Sequence, residues 1–399
     1  MNSLPALLGN DPIFDKKVPL AKPVLPDLQI FAEELEPIFR SGILTKGAHL
    51  RRFEEMVAEH LGVKHAVGVS SCTAGLMLTY RALDLSGEVI VPSFTFMATV
   101  GALAWLDLKP VFVDVDPATT TIDVSAVEAA ITSRTTAIVA VHNFGNPADI
   151  HELEKIAGRY GLRLIFDAAH AFGALCDGRP VGPQGDAQVF SLSPTKLLIA
   201  GEGGIVATND DVIAEKIRLG REYGNDGNYD GIMIGLNARM PEINALLGQH
   251  SLRNLESAAQ HRNDLAATYR EHLRHLPGLN FQEVRAGNRS AYFVVAITVN
   301  PESFGLSRDE LAQVLEAENI DARTYYNPPV HRQSAYRHFA APGINLAHTD
   351  QLSATILCLP IWSNMDRSVV EKICLAIERA HRFGPEIKAR LGASTLALV

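Results

Sequence analysis

The sequence predicts an α/β protein with a large domain on a mostly parallel sheet and a smaller C-terminal α+β domain. Three observations lead there. Beyond residue 83, short Val/Ile-rich runs alternate with helical patterns, as in strand–helix–strand units whose parallel sheet is covered on both faces. Pro241 to Leu276 then reads as one long helical stretch, a connector. After it the alternation gives way to a mixed run of two strands and two helices. At 399 residues, with 47% hydrophobic and 20% charged residues, the chain is long enough for two or three domains around substantial cores.

Residues 1–26 are rich in proline and read as an arm. Helical periodicity (Leu28, Phe31, Leu35, Ile38, Phe39) begins near Asp27 and stops at Gly42, a residue type that ends helices in the left-handed conformation. Further helices fit His49–Leu61 and Thr73–Leu83, the second preceded by the apolar run Ala66–Val69. Strands fit Val89–Val91, Val111–Val113, Ala137–Val141, Leu162–Phe166 and Val189–Leu192. Helices Ser125–Ile131 and Ile150–Tyr160 lie between some of them. In the C-terminal part a strand fits Tyr292–Val299, a helix Arg308–Glu318, a strand ending near Leu359 and a helix Arg367–Arg382. The expected division is an arm (1–26), a large domain (27–260) and a small domain (261–399).

Several function classes are disfavoured. A net charge of −9 does not suit non-specific nucleic-acid binding, which needs a basic surface. Cys72, Cys176, Cys358 and Cys374 are far apart with no CxxC pair, so nothing suggests a zinc site, and the usage fits a reducing cytoplasm. The first residues, MNSLPALLGNDPIF, lack a basic start followed by a sustained apolar stretch, so no signal peptide is expected. No segment approaches the roughly 20 apolar residues of a membrane span, and no GxGxxG follows an early strand.

Two strand ends carry the chemistry. The run Leu162-Arg-Leu-Ile-Phe-Asp167 presents a carboxylate; Lys196 lies just past the strand at Val189 and before the cluster Gly201-Glu-Gly-Gly204. In a parallel sheet, ligands bind beyond the carboxyl ends of the strands. A lysine able to form a Schiff base, paired with an acid for a cationic ring nitrogen, is what pyridoxal 5'-phosphate requires. The cofactor's phosphate needs N–H donors and hydroxyls at a helix N-terminus, and Ser70-Ser71-Cys72-Thr73-Ala74-Gly75 supplies both. Phe96, after the strand at Val89, can stack on a planar ring, and His170 can hydrogen-bond the phenolic oxygen. Taken singly, each of these has an ordinary reading as cap, core or surface residue; the set does not.

In order along the chain, these residues resemble the DegT/DnrJ/EryC1/StrS family of pyridoxal-phosphate aminotransferases. The matching stretches are Gly42-Ile-Leu-Thr-Lys-Gly47, Gly62-Val-Lys-His-Ala-Val67, Val91-Pro-Ser-Phe-Thr-Phe96, Phe166-Asp-Ala-Ala-His170, Ser193-Pro-Thr-Lys196, Gly201-Glu-Gly-Gly204 and Gly235-Leu-Asn-Ala-Arg-Met240, followed by Tyr326 with His331, Gln333 and Tyr336. The resemblance implies a fold-type I aminotransferase that aminates a nucleotide-linked 4-keto-6-deoxysugar with L-glutamate as donor, the alternatives being a 3-keto sugar or cyclitol ketone as acceptor, or a sugar dehydration. It implies Lys196 as the Schiff-base lysine and proton shuttle, and Asp167 as the partner of the ring nitrogen. Ser71, Thr73, Ala74 and Ser191 would hold phosphate, Phe96 would stack on the ring, and Asn237 would reach the phosphate from a second subunit of a homodimer. Tyr326 and His331 would line the sugar site. Where the family often has Gln, this chain has His170. A related dehydratase branch replaces the lysine by histidine; Lys196 is intact, so transamination is the expected reaction.

Overall fold

The computed structural model describes residues 3–396. Seven strands form the large sheet: β1 (His65–Val69), β2 (Glu88–Pro92), β3 (Lys109–Val113), β4 (Thr135–Val141), β5 (Arg163–Asp167), β6 (Ala187–Ser191) and β7 (Gly204–Thr208), in the order β1-β7-β6-β5-β4-β2-β3. From β3 to β6 every pairing is parallel; β7 runs antiparallel to both of its neighbours. The sequence reading recognised the apolar run of β1 but gave no strand to β7, which begins at the glycine cluster.

Successive strand residues enter opposite cores, because side chains alternate across a sheet. Ile90, Ile138, Ala140, Leu164 and Phe166 pack with helices α2 (Ala48–Leu61) and α6 (Ile150–Tyr160). Val89, Val91, Ala137, Val139 and Ile165 pack on the other face with α3 (Cys72–Ala82), α4 (Met97–Ala104) and α7 (Asp211–Gly220). Each fully buried side chain of this size stabilises the fold by about 1.5–3 kcal/mol relative to exposure. Helix α1 (Leu28–Ser41) begins where Asp27 accepts from the N–H groups of Gln29 and Ile30, and it stops at Gly42 with φ 67°. Helix α5 is the short Val124–Ala129.

The predicted single helix over 241–276 is two: α8 (Glu242–Arg253) and α9 (Leu255–Leu273). Asn254 leaves helical geometry (φ −105°, ψ 6°) and caps both. The break lets each helix find its own partner, α8 against α2 and α9 against the helix Arg367–Arg382. Helix α9 serves both cores: Leu255 and Ala259 face the large-sheet core, Leu265, Ala266, Tyr269 and Leu273 the other.

That other core lies on a small antiparallel sheet of β8 (Leu279–Phe281), β9 (Val295–Val299) and β10 (Ile356–Leu359), with β9 in the middle. Strand β9 starts three residues later than the apolar run suggested. Helices α10 (Arg308–Ala317), α11 (Ala347–Thr355), α12 (Arg367–Arg382) and α13 (Gly384–Leu396) complete it. The arm holds a single helical turn at Ala6–Leu8, yet it is docked. Glu318, with no solvent exposure, accepts from Ala6 N at 2.8 Å and Ile13 N at 2.7 Å. Val18 bridges Ile320, and Leu20 is buried. Among the described residues, no helix is long and apolar enough to cross a membrane.

Candidate active site

Parallel register aligns the site. Asp167 pairs with Val141 on one side and Val189 on the other, so β4 and β5 end level and β6 runs two residues further. A cavity of about 550 Å³ opens there, lined by Ser71, Cys72, Thr73, Phe96, Asp167, His170, Ser191, Lys196, Phe293 and Tyr326 among others. Of the residues expected at the site, Ser71, Thr73, Phe96, Asp167, His170, Ser191, Lys196 and Tyr326 therefore share one space.

Asp167 is 5% exposed. Its Oδ2 accepts from Thr99 Oγ1 at 2.7 Å and its Oδ1 from Ala169 N at 3.1 Å; Thr95 Oγ1 lies 2.9 Å from Thr99 Oγ1. No cationic side chain pairs with it within ion-pair distance among the described residues. Burial pushes its carboxyl above the usual range, against the two hydrogen bonds and the charge of Lys196, which favour the anion. Such a carboxylate is poised for a cation brought by a ligand.

Lys196 Nζ sits 4.1 Å from the centroid of the Phe293 ring. Burial lowers its pKa to about 8, an effect that Cys72, Asp167 and Glu202 oppose and Arg262 reinforces. An amine of that kind is neutral, and so nucleophilic, in a far larger fraction near physiological pH than an ordinary lysine. In the cofactor-free protein, trapping of Lys196 by a small aldehyde and borohydride should rise with pH to half its maximum near 8. Peptide mass spectrometry reads this out; a midpoint at the ordinary lysine value would contradict it.

Ser71 is the N-cap of α3 and accepts from Ala74 N at 3.1 Å. The N–H groups of Cys72 and Thr73, in the first turn, have no intrahelical acceptor, and with the hydroxyls of Ser71, Thr73 and Ser191 they form an anion cradle at the positive end of the helix. Gly204 of β7 passes directly behind: a Cβ there would stand 2.7 Å from the Ser71 carbonyl carbon and 2.8 Å from Cys72 N. The glycine cluster thus keeps the cradle in place. Ala74 does not line the cavity; its N–H is the one taken by Ser71.

His170 stacks on Phe293 at 4.1 Å and 5°. Burial, and then the charge of Lys196, push its pKa well below the usual value, so the ring is neutral. Its Nδ1 is buried with no hydrogen-bond partner. Phe96 is 52% exposed at the mouth, 6.4 Å from the buried Tyr326 ring.

Two expected residues lie elsewhere. His331 is buried but does not line the cavity: its Nδ1 lies 2.7 Å from Ser93 Oγ and its Nε2 3.5 Å from Asp350. Asn237 is exposed, in a segment bridged to Glu222, and does not line this chain's cavity. The sequence reading missed Thr95, Thr99, Phe293, Tyr325 and Arg262. Arg262, 2% exposed, donates to Ser363 Oγ at 3.0 Å, Tyr292 O at 3.0 Å and Lys196 O at 3.4 Å, tying the lysine loop to both cores. Burial lowers its pKa to about 9.

Residues 28–378 match the DegT/DnrJ/EryC1/StrS aminotransferase family. The chain belongs to this family. Among its relatives, dTDP-4-amino-4,6-dideoxy-D-glucose transaminase of Escherichia coli is 34% identical over 365 residues, covering 90% of this chain and 97% of that one. UDP-N-acetyl-3-dehydro-alpha-D-glucosamine 3-aminotransferase of Acidithiobacillus ferrooxidans is 37% identical over 334 residues, 82% of this chain and 88% of that one. The structure of DesI in the presence of its TDP-sugar product matches with a TM-score of 0.91 at 38% identity, covering 96% and 98%. The DegT/DnrJ/EryC1/StrS chain described here is accordingly a pyridoxal-phosphate-dependent aminotransferase. Its cavity fits that cofactor on three counts: a buried carboxylate lacking a cation, an unpartnered His170 Nδ1 and a helix N-terminus with free N–H groups.

Proposed function

We propose that this aminotransferase moves an amino group from L-glutamate to a nucleotide-linked 4-keto-6-deoxysugar. The observation that carries the reading is one cavity holding both a lysine of lowered proton affinity and a buried carboxylate without a cation. Kinship with enzymes named for dTDP- and UDP-sugars supports the acceptor class.

Pyridoxal phosphate, when bound, supplies an aldehyde carbon for the amine and a ring that draws electrons from the carbon losing its proton. The chain's residues do the rest. Asp167 provides the fixed negative charge that keeps a ring nitrogen protonated, and Thr99 and Ala169 N–H orient it. Lys196 Nζ takes a proton from one carbon and returns it to another, which its pKa of about 8 suits, because an acid–base group works best near the operating pH. The cradle of Ser71, Thr73, Ala74 N–H and Ser191 receives phosphate, with Ser71 turning from the N-cap bond to release Ala74. Asn237 of the partner subunit adds to it, making the working unit a homodimer. When the cofactor is bound, His170 would hydrogen-bond its phenolic oxygen and Phe96 would stack on its ring. Tyr326 faces the sugar, and His331 acts on that wall through Ser93.

A second reading is amination at carbon 3, favoured by the 37% identity to a 3-aminotransferase. Holoenzyme should be given L-glutamate with either a dTDP-linked 4-keto-6-deoxyhexose or a UDP-linked 3-keto sugar. We expect 2-oxoglutarate and amino sugar in equal amounts from the first. Product from the second alone would move the reaction to carbon 3; ammonia release with loss of a sugar hydroxyl would make the protein a dehydratase.

A further inference from the structure

Apart from Lys196, the described residues lining the cavity include one group with a permanent positive charge, the guanidinium of Arg323; His170 is neutral. The other charged groups on that wall are Asp167, Glu202 and Asp321. A dicarboxylic amino donor with its amine directed at Lys196 brings carboxylates into a space otherwise lined by negative charge. Beyond Lys196, Arg323 alone among the described lining residues has the opposite sign.

Its setting is built and not incidental. Arg323 N donates to Cys358 O at 3.1 Å and Cys358 N donates back at 2.7 Å, pinning residue 323 to the small sheet. Arg323 Nε and Nη2 contact the Asp321 carboxylate at 2.8 and 3.2 Å, the two-pronged geometry by which guanidinium groups hold carboxylates. Asp321 thereby fixes the plane of the fork. The Nη1 donors have no hydrogen-bond partner among the described residues, on a side chain 54% exposed. Tyr325, two residues on, also lines the cavity and lies 6.4 Å from Phe293, the ring beneath Lys196.

We propose that Arg323, oriented by Asp321, is the receptor for a carboxylate of the amino donor. The inference rests on the transamination reading above. A carboxylate is favoured over the sugar nucleotide's diphosphate because the guanidinium, already paired with Asp321, has only its Nη1 edge left to offer a ligand. A diphosphate would leave Asp321 repelling the excess.

The test compares wild-type, Arg323→Gln and Arg323→Lys holoenzymes. Succinate, which has no amine to react, is titrated first by calorimetry; L-glutamate is then added without sugar and conversion of the cofactor followed by absorbance. In Arg323→Gln the concentrations of both needed for half effect should rise about 10- to 100-fold, the loss expected for one charged hydrogen-bonded contact. The absorbance of the resting enzyme should not change, and Arg323→Lys should recover part of the loss. Unchanged succinate and glutamate dependence in Arg323→Gln would overturn the proposal. So would a loss confined to the KM of the sugar nucleotide. A wild type that binds succinate through Arg323 but converts no amino acid would instead remove the transamination reading and leave the carboxylate site standing.

Discussion

Lys196→Ala should abolish turnover while leaving a protein that still takes up pyridoxal phosphate. The amine sits over Phe293 with burial lowering its pKa to about 8, which suits it to the proposed double role of nucleophile and proton carrier. A positioned acid–base group alone contributes about 10²–10⁴-fold, and here the covalent anchor is lost with it. We expect kcat to fall at least ~10³-fold, and borohydride no longer to fix the cofactor's mass to the chain. Retention of cofactor is expected because Asp167, His170 and the helix cradle are untouched. Transamination at the parent rate would refute the assignment of Lys196.

Asp167→Asn should separate stability from activity. Removal of one preorganised electrostatic contact, such as an oxyanion-hole donor, costs about 10²–10³-fold in kcat, and a fall of that order is expected here. The cofactor-free fold should respond in the opposite direction. Burial raises the Asp167 pKa above its unfolded value, so this group's contribution to stability declines as pH rises from the ordinary carboxylate range through the raised value. Above that raised value the cost is present in full. Cofactor-free Asp167→Asn should therefore melt above the parent at pH 7, and the gain should vanish in acid, where Asp167 is protonated in both states. With cofactor bound, a ring cation opposite Asp167 offsets the cost, and the parent should melt higher. Calorimetry of both forms at two pH values decides it; a cofactor-free variant less stable at pH 7 would show the carboxylate to be satisfied by the chain itself.

Much of this was readable from the chain because local signals and fold agree. Caps and glycines bounded α1, α2 and α6, and the Val/Ile runs marked β2 to β6, whose shared carboxyl ends follow from parallel pairing. What stayed hidden came from contacts distant in sequence. Thr99 reaches Asp167 across 68 positions, and its helix α4, Met-Ala-Thr-Val-Gly-Ala-Leu-Ala, has no polar face to betray a period. Phe293 and Arg262 come to Lys196 from β9's approach and from α9. The break at Asn254 interrupts a periodicity that reads continuously, since only the separate packing of α8 and α9 requires it. His331 carried a sound signal for a polar wall, but Ser93 claims its ring. Helix α7 and strand β7 were legible and overlooked: Asp210 accepts from the N–H groups of Val212 and Ile213, and Gly204-Ile-Val-Ala-Thr208 is a strand-forming run.

The docked arm bears on how chimeras with relatives should be cut. Leu20 and its neighbours Pro19 and Ala21 form part of the cavity wall, while the buried oxygens of Glu318 accept, among the described residues, from the arm's own backbone at Ala6 and Ile13. Exchanging the C-terminal part alone would hand that carboxylate a foreign arm, and a buried acceptor left unmet costs about 1–3 kcal/mol. The arm from Ala6 to Val18 and α10 with its flanking loop are joined by these contacts, although some 300 positions separate them. Specificity transplants should move both together.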